Sequence, residues 1–151
     1  MARVEVSRHI AAPPETVWAV LADLAGHVSW MEDARAITFT TRRRSGVGTE
    51  FDCHTVIGPV RLVDHMAVTE WTPPRSMAIR HVKPVTGTGR ITLEPRPGGG
   101  TIVSWSERLR LPWWLGGPAG GLVAARVLDR VWSRSLERLE RLVLGTRAPT
   151  R

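Results

Sequence analysis

The amino-acid sequence predicts an α+β domain in which a curved antiparallel sheet of six to seven strands wraps around a long C-terminal helix, with two short helices after the first strand. Three observations predict it. The chain opens on a strict two-residue alternation, its middle is a series of short apolar runs separated by Gly and Pro turns, and its last part switches to a helical period. A lone sheet face and a lone amphipathic helix cannot bury their apolar sides separately, so they must pack on each other.

Each element follows from its residues. Val4, Val6 and Ile10 share one parity and Arg3, Glu5, Ser7 and His9 the other, the pattern of a half-buried strand. Pro13-Pro14 ends it. Pro14 suits a first helical turn, and Glu15 is favourable near the positive end of the helix dipole. Val17, Trp18, Val20, Leu21 and Leu24 form the apolar face of that helix, and a second short helix is expected over His27 to Asp33. From Ala36 to Leu111, turns fall at Ser45-Gly46, Gly58-Pro59, Thr72-Pro73-Pro74, Lys83-Pro84 and Pro97 to Gly100. Short connections favour antiparallel neighbours. From Leu122 to Leu144, Leu128, Trp132, Leu136, Leu139 and Val143 step by three and four along one face. Arg126, Arg130, Arg134, Arg138 and Arg141 line the other, and Gly145 stops the helix. One domain over residues 1–145 is expected, followed by a frayed tail over 146–151.

Composition narrows the function. With 151 residues, 42% of them hydrophobic, the chain can bury a core and still leave a cavity. No run approaches the roughly 20 apolar residues of a membrane span. The N-terminal residues lack a signal-peptide apolar region, so a cytoplasmic protein is expected. The single cysteine, Cys53, excludes an internal disulfide and a multi-cysteine zinc site. No dinucleotide fingerprint, phosphate loop, His-Glu-x-x-His motif or Gly-x-Ser-x-Gly elbow is present, so neither a metal nor a cofactor is expected. The net charge of +7 rests on twenty arginines and one lysine. It opens a reading as a basic adaptor on a ribosome, RNA or membrane surface, with the arginine ladder of the last helix as contact. A solvated helix face explains the same ladder, and the aromatic–basic stripes of RNA modules are missing, so nucleic acid is not the expected partner.

The ordered fragments resemble the START-like, or SRPBCC, superfamily of helix-grip proteins, and within it the group described as polyketide cyclase/dehydrase and lipid transport. They are Val6-x-x-x-Ile10-x-Ala12-Pro13-x-Glu15-x-Val17-Trp18, Trp30, Gly48-Thr49-x-Phe51, Val68-x-Glu70-x-x-Pro73-Pro74-Arg75, Leu93-x-Pro95 and Gly99-Gly100-Thr101-x-Val103-x-Trp105. The resemblance spans nearly the whole chain. It implies a helix-grip fold with a ligand cavity and carries over no catalytic residue, because one fold serves many functions.

Strand parity then sorts the side chains. If Gly58-Pro59 is a two-residue hairpin loop, Ile57 pairs with Val60, Phe51 faces Met66, Cys53 faces Asp64, Thr55 faces Leu62, and Asp52 faces His65 on the opposite side. The same rule turns Met77, Ile79, His81, Ile91, Leu93, Trp105 and Glu107 inward. Asp64, His81 and Glu107 are thus ionisable groups in an apolar wall. They are candidates to orient a polar ligand group or to act as acid and base, or else are strand-end groups bonded to their neighbours. Cys53 is a small buried hydrophobe whose thiolate the neighbouring carboxylate disfavours. Trp30 is a candidate for the cavity entrance. Trp113 and Trp114 precede a run of glycines and read either as a hinged lid or as a cap on the core.

The expected function is binding of a hydrophobic small molecule (a lipid, polyketide or aromatic compound) by a monomer or homodimer, with peripheral membrane contact left open. The alternative is a cofactor-free cyclase, aromatase or dehydratase in which Asp64, His81 or Glu107 moves protons.

Overall fold

The computed structural model describes residues 2–146. Seven antiparallel strands form one sheet in the order β1-β7-β6-β5-β4-β3-β2. They are β1 (Ala2–Ile10), β2 (Ala34–Phe39), β3 (Glu50–Ile57), β4 (Val60–Thr72), β5 (Ser76–Lys83), β6 (Thr86–Pro95) and β7 (Thr101–Arg110). Helix α1 (Pro14–Ala22) and a 3-10 turn over Leu24–Ser29 carry the chain from β1, at one edge, to β2, at the other. The second expected helix therefore begins and ends earlier than its apolar residues suggest. The Asp23 carboxylate starts it by accepting from the Gly26 amide at 3.2 Å.

The β3–β4 hairpin has the register that its turn predicts. Ile57 pairs with Val60, Cys53 with Asp64 and Phe51 with Met66. Gly58 supplies the positive φ (56°) that a two-residue hairpin turn needs. Register shifts at His65/Met66 and at Val68/Glu70 interrupt the β4–β5 ladder, and such bulges bend a strand.

Helix α2 (Gly117–Thr146) closes the concave side, with Leu128, Trp132, Leu136, Leu139 and Val143 buried. It begins five residues before the apolar period does. Gly117 to Gly121 are its first turns rather than a hinge, and the Gly120 amide bonds to the Gly116 carbonyl at 2.9 Å. The helix also runs through Gly145, its expected stop, and takes in Thr146, the first residue of the expected tail; the rest of that tail lies outside the described residues. Arg8 of β1 ties the helix down by bonding Glu140 at 2.9 Å. Ser135 is buried in the helix and accepts the Glu32 amide at 3.0 Å, which pins the segment leading into β2. Among the described residues no helix is long and apolar enough to cross a membrane.

Candidate functional site

Alternation delivers a connected polar group to the concave face. Asp64 on β4, His81 on β5 and Glu107 on β7 are all buried. The His81 imidazole lies between the two carboxylates, with Nδ1 2.6 Å from Asp64 Oδ2 and Nε2 3.1 Å from Glu107 Oε2. Only the imidazolium donates from both nitrogens. Burial alone would lower the His81 pKa, but the hydrogen bonds and charges of Asp64 and Glu107 outweigh it and raise the pKa to about 10. The group is therefore two carboxylates around one cation. Glu107 Oε1 also accepts from Trp105 Nε1 at 3.2 Å, while Asp64 Oδ1 is buried without a partner.

Space for the Glu107 carboxylate comes from Gly89, its cross-strand neighbour. A Cβ at Gly89 would lie 2.6 Å from Glu107 Oε1. The sequence places Gly89 on the same parity as Ile91, so an inward-facing glycine opposite a glutamate was the legible signal.

Beside this group is a cavity of about 50 Å³. Phe51, Cys53, Met66, Met77, Ile79, Ile91, Trp105 and Glu107 line it, all on the face that parity selects. Leu24, His27, Met31, Ile37, Ala78, Gly89 and Arg90 also contribute, and sequence reasoning missed them; Ala78 and Arg90 are of the opposite strand parity. His27 is buried and held by the Leu21 carbonyl at 2.7 Å; burial lowers its pKa to about 4, so it is neutral at pH 7. Asp33, just before β2, was missed as well. Burial raises its pKa to about 6, and the nearby Glu107, Glu32 and Asp64 charges add to the rise. Its Oδ1 is buried without a partner. Burial likewise raises the Cys53 thiol to about 11, with Asp33, Asp64 and Glu107 adding to the effect, so the sulfur is no nucleophile at neutral pH.

Four expected ligand contacts lie elsewhere. Trp30 is fully buried rather than at an entrance, 5.9 Å from Trp105 in a T-shaped pair. Trp105 in turn stacks on Trp132 of α2 at 4.7 Å, so these rings form the partition between core and cavity. Leu93 is fully packed in the core beneath the helix. Trp113 and Trp114 form a short 3-10 turn before α2, are 85% and 51% exposed, and do not line the cavity. At that exposure they do not cap the core. Among the described residues no cluster of His, Cys, Asp and Glu has a metal-holding arrangement.

A curved antiparallel sheet closed by a C-terminal helix over a small apolar hollow defines a helix-grip domain. The chain belongs to the polyketide cyclase/dehydrase and lipid transport family, whose model matches residues 1–144. Among solved structures it is similar to a Thermus thermophilus protein, with a TM-score of 0.82 at 20% identity over 95% of this chain and 98% of that one. A START superfamily protein from Mycobacterium smegmatis superposes with a TM-score of 0.76 at 15% identity, covering 97% of this chain and 99% of that one. A conserved protein from Geobacillus kaustophilus gives 0.76 at 15% identity, covering 95% and 96%. At these identities the likeness establishes the fold. A search of curated proteins found no match.

Proposed function

We propose that this protein binds a hydrophobic small molecule in the hollow between the concave face of the sheet and the segments that cover it. The observation that carries this reading is the lining itself. Met31, Met66 and Met77 surround a hollow that ends on Glu107. Methionine is unbranched and polarisable, so such a wall can reshape around different apolar bodies. A volume of about 50 Å³ holds little more than water-sized groups, so the ligand displaces these side chains when it binds. Glu107, backed by His81 and Asp64, accepts a hydrogen bond from a hydroxyl or amine of the ligand and disfavours a carboxylate at that end.

A cofactor-free enzyme is the second reading, favoured by the buried triad and by Asp33. Its difficulty is His81. An imidazolium held to about pH 10 is no base at neutral pH, and each of its N–H groups is already bound to a carboxylate. Asp33, with a pKa of about 6, is the better-matched group for proton transfer.

Mass spectrometry of small molecules released from protein purified from its native host tests the proposal. A stoichiometric apolar compound that is lost in Ile91→Asp protein, with the fold retained by circular dichroism, is the expected result. Protein that emerges empty and ignores a panel of lipids, alcohols and aromatics would overturn it.

A further inference from the structure

A second hollow lies on the other side of one cavity wall. It is a solvent-open crevice of about 420 Å³ under the edge strand β2, lined by Ala25, Ile37, Phe39, Thr41, Arg42 and Arg44 among others. Ile37 belongs to both linings. The 3-10 turn also serves both, with Leu24 and His27 facing the cavity and Ala25 the crevice. The wall between the two hollows is therefore one β2 side chain and one turn of chain.

The two sides carry opposite charge. On the inner side, Asp64 and Glu107 outnumber the His81 cation by one, and Arg90, which also borders the cavity, is neutralised by Glu70 at 3.0 Å. On the outer side, Arg42 and Arg44 are exposed, and among the described residues neither forms an ion pair with a carboxylate. Arg44 lies over the Phe39 ring at 5.1 Å, which holds its guanidinium at the crevice wall. Thr41 braces the same loop by donating to the Arg43 carbonyl at 2.8 Å and accepting the Glu50 amide at 3.1 Å.

We infer that crevice and cavity are two compartments of one amphiphile site, with Ile37 as the movable partition and Arg42 and Arg44 as the seat of an anionic head group. The inference rests on the reading that the cavity takes a hydrophobic molecule. The head is a carboxylate or phosphate, which arginine grips by charge-assisted hydrogen bonds. The apolar body passes Ile37 toward Met66 and Trp105. The inner carboxylates repel an anion, so the charge distribution fixes which end enters.

Calorimetric titration with decanoate, decyl phosphate, 1-decanol and inorganic phosphate tests it on wild type, Arg42→Gln/Arg44→Gln and Ile37→Trp protein. Wild type should bind decanoate and decyl phosphate at least ~10-fold more tightly than decanol, the factor expected from one charge-assisted contact. The arginine variant should lose that preference and leave decanol binding unchanged. Ile37→Trp should weaken all three decyl compounds. Equal affinity for the three compounds in wild type and arginine variant would overturn the head-group seat and leave the hydrophobic cavity standing. Inorganic phosphate binding as tightly as decyl phosphate would mean a separate anion site and overturn the single-site inference. Unchanged decyl binding in Ile37→Trp protein would overturn the partition. Failure of every decyl compound to bind would overturn both this inference and the cavity reading.

Discussion

The two ends of the concave face are built from the same alternation but put to different uses. At the β1–β7 end, Ile10, Val17, Leu21, Leu136, Leu139 and Val143 are fully buried, and α2 fills the curve of the sheet. At the β2–β4 end, the apolar set is smaller (Leu24, Ala34, Phe51, Cys53 and Val68), its margins are flexible methionines, and it borders a hollow and a charged triad. Trp30, Trp105 and Trp132 stand between the two. A helix that completes one half of a sheet leaves the other half short of apolar partners. On the proposed function, that shortage is what makes the ligand site, because unfilled apolar surface gains free energy from any apolar molecule that covers it.

The largest expected effect is at the triad. His81→Leu removes the cation and leaves Asp64 and Glu107 buried and unpaired, so stability should fall by about 3–5 kcal/mol in urea titrations at pH 7. The folded pKa of His81 is raised from 6.5 to about 10, so its contribution is complete below about pH 6.5 and is lost as pH rises through 10. The wild-type denaturation midpoint should decline over that window, and the His81→Leu midpoint should not.

Next comes the contrast of the two ends. Leu139→Ala should cost about 3 kcal/mol, because the filled half cannot collapse around the void. Met66→Ala, beside an existing hollow, should cost about 1 kcal/mol and enlarge the cavity. Equal losses at the two positions would erase the distinction between halves.

Asp33→Asn sharpens the picture of the open end. Its folded pKa of about 6 lies above the ordinary 3.8, so ionising it costs the folded state, and stability falls as pH rises from about 4 to 6. The asparagine variant should escape that fall and be more stable than wild type at pH 7, by about 1–3 kcal/mol in thermal or urea denaturation.

The smallest effect belongs to the outer face. There His65 also lies between two carboxylates, 2.8 Å from Asp52 and 3.1 Å from Glu50, but in contact with solvent. His65→Ala should cost under about 1 kcal/mol, as exposed pairs do. The pair of histidine variants measures what burial adds to one motif.

Most of the fold was legible because period and turn chemistry agree. The Gly58-Pro59 turn sets the β3–β4 register, and the register decides that Asp64 faces in and His65 out. Gly and Pro at Pro97 to Gly100 and at Lys83-Pro84 bound β6 in the same way. The missed residues lie where parity has no fixed origin. A register shift at Ala34/Ala36 separates Asp33 from the readable part of β2 and hides that Ile37 faces the cavity. Leu24 and His27 sit on a 3-10 turn, whose tighter period does not match the helical template. Trp113 and Trp114 stayed open between two readings because a large aromatic is ordinarily buried and nothing in the local sequence marks a pair left at the surface.

Carbon-13 methyl spectra of protein labelled at methionine, leucine and valine, titrated with 1-decanol, report which half of the concave face takes up an apolar molecule. Met31, Met66 and Met77 line the open half, and the methyls of Leu139 and Val143 report on the filled half. Saturable shifts are expected at those three methionines, with Leu139 and Val143 unmoved. Unperturbed methionines, or shifts concentrated at Leu139 and Val143, would contradict binding in the open half.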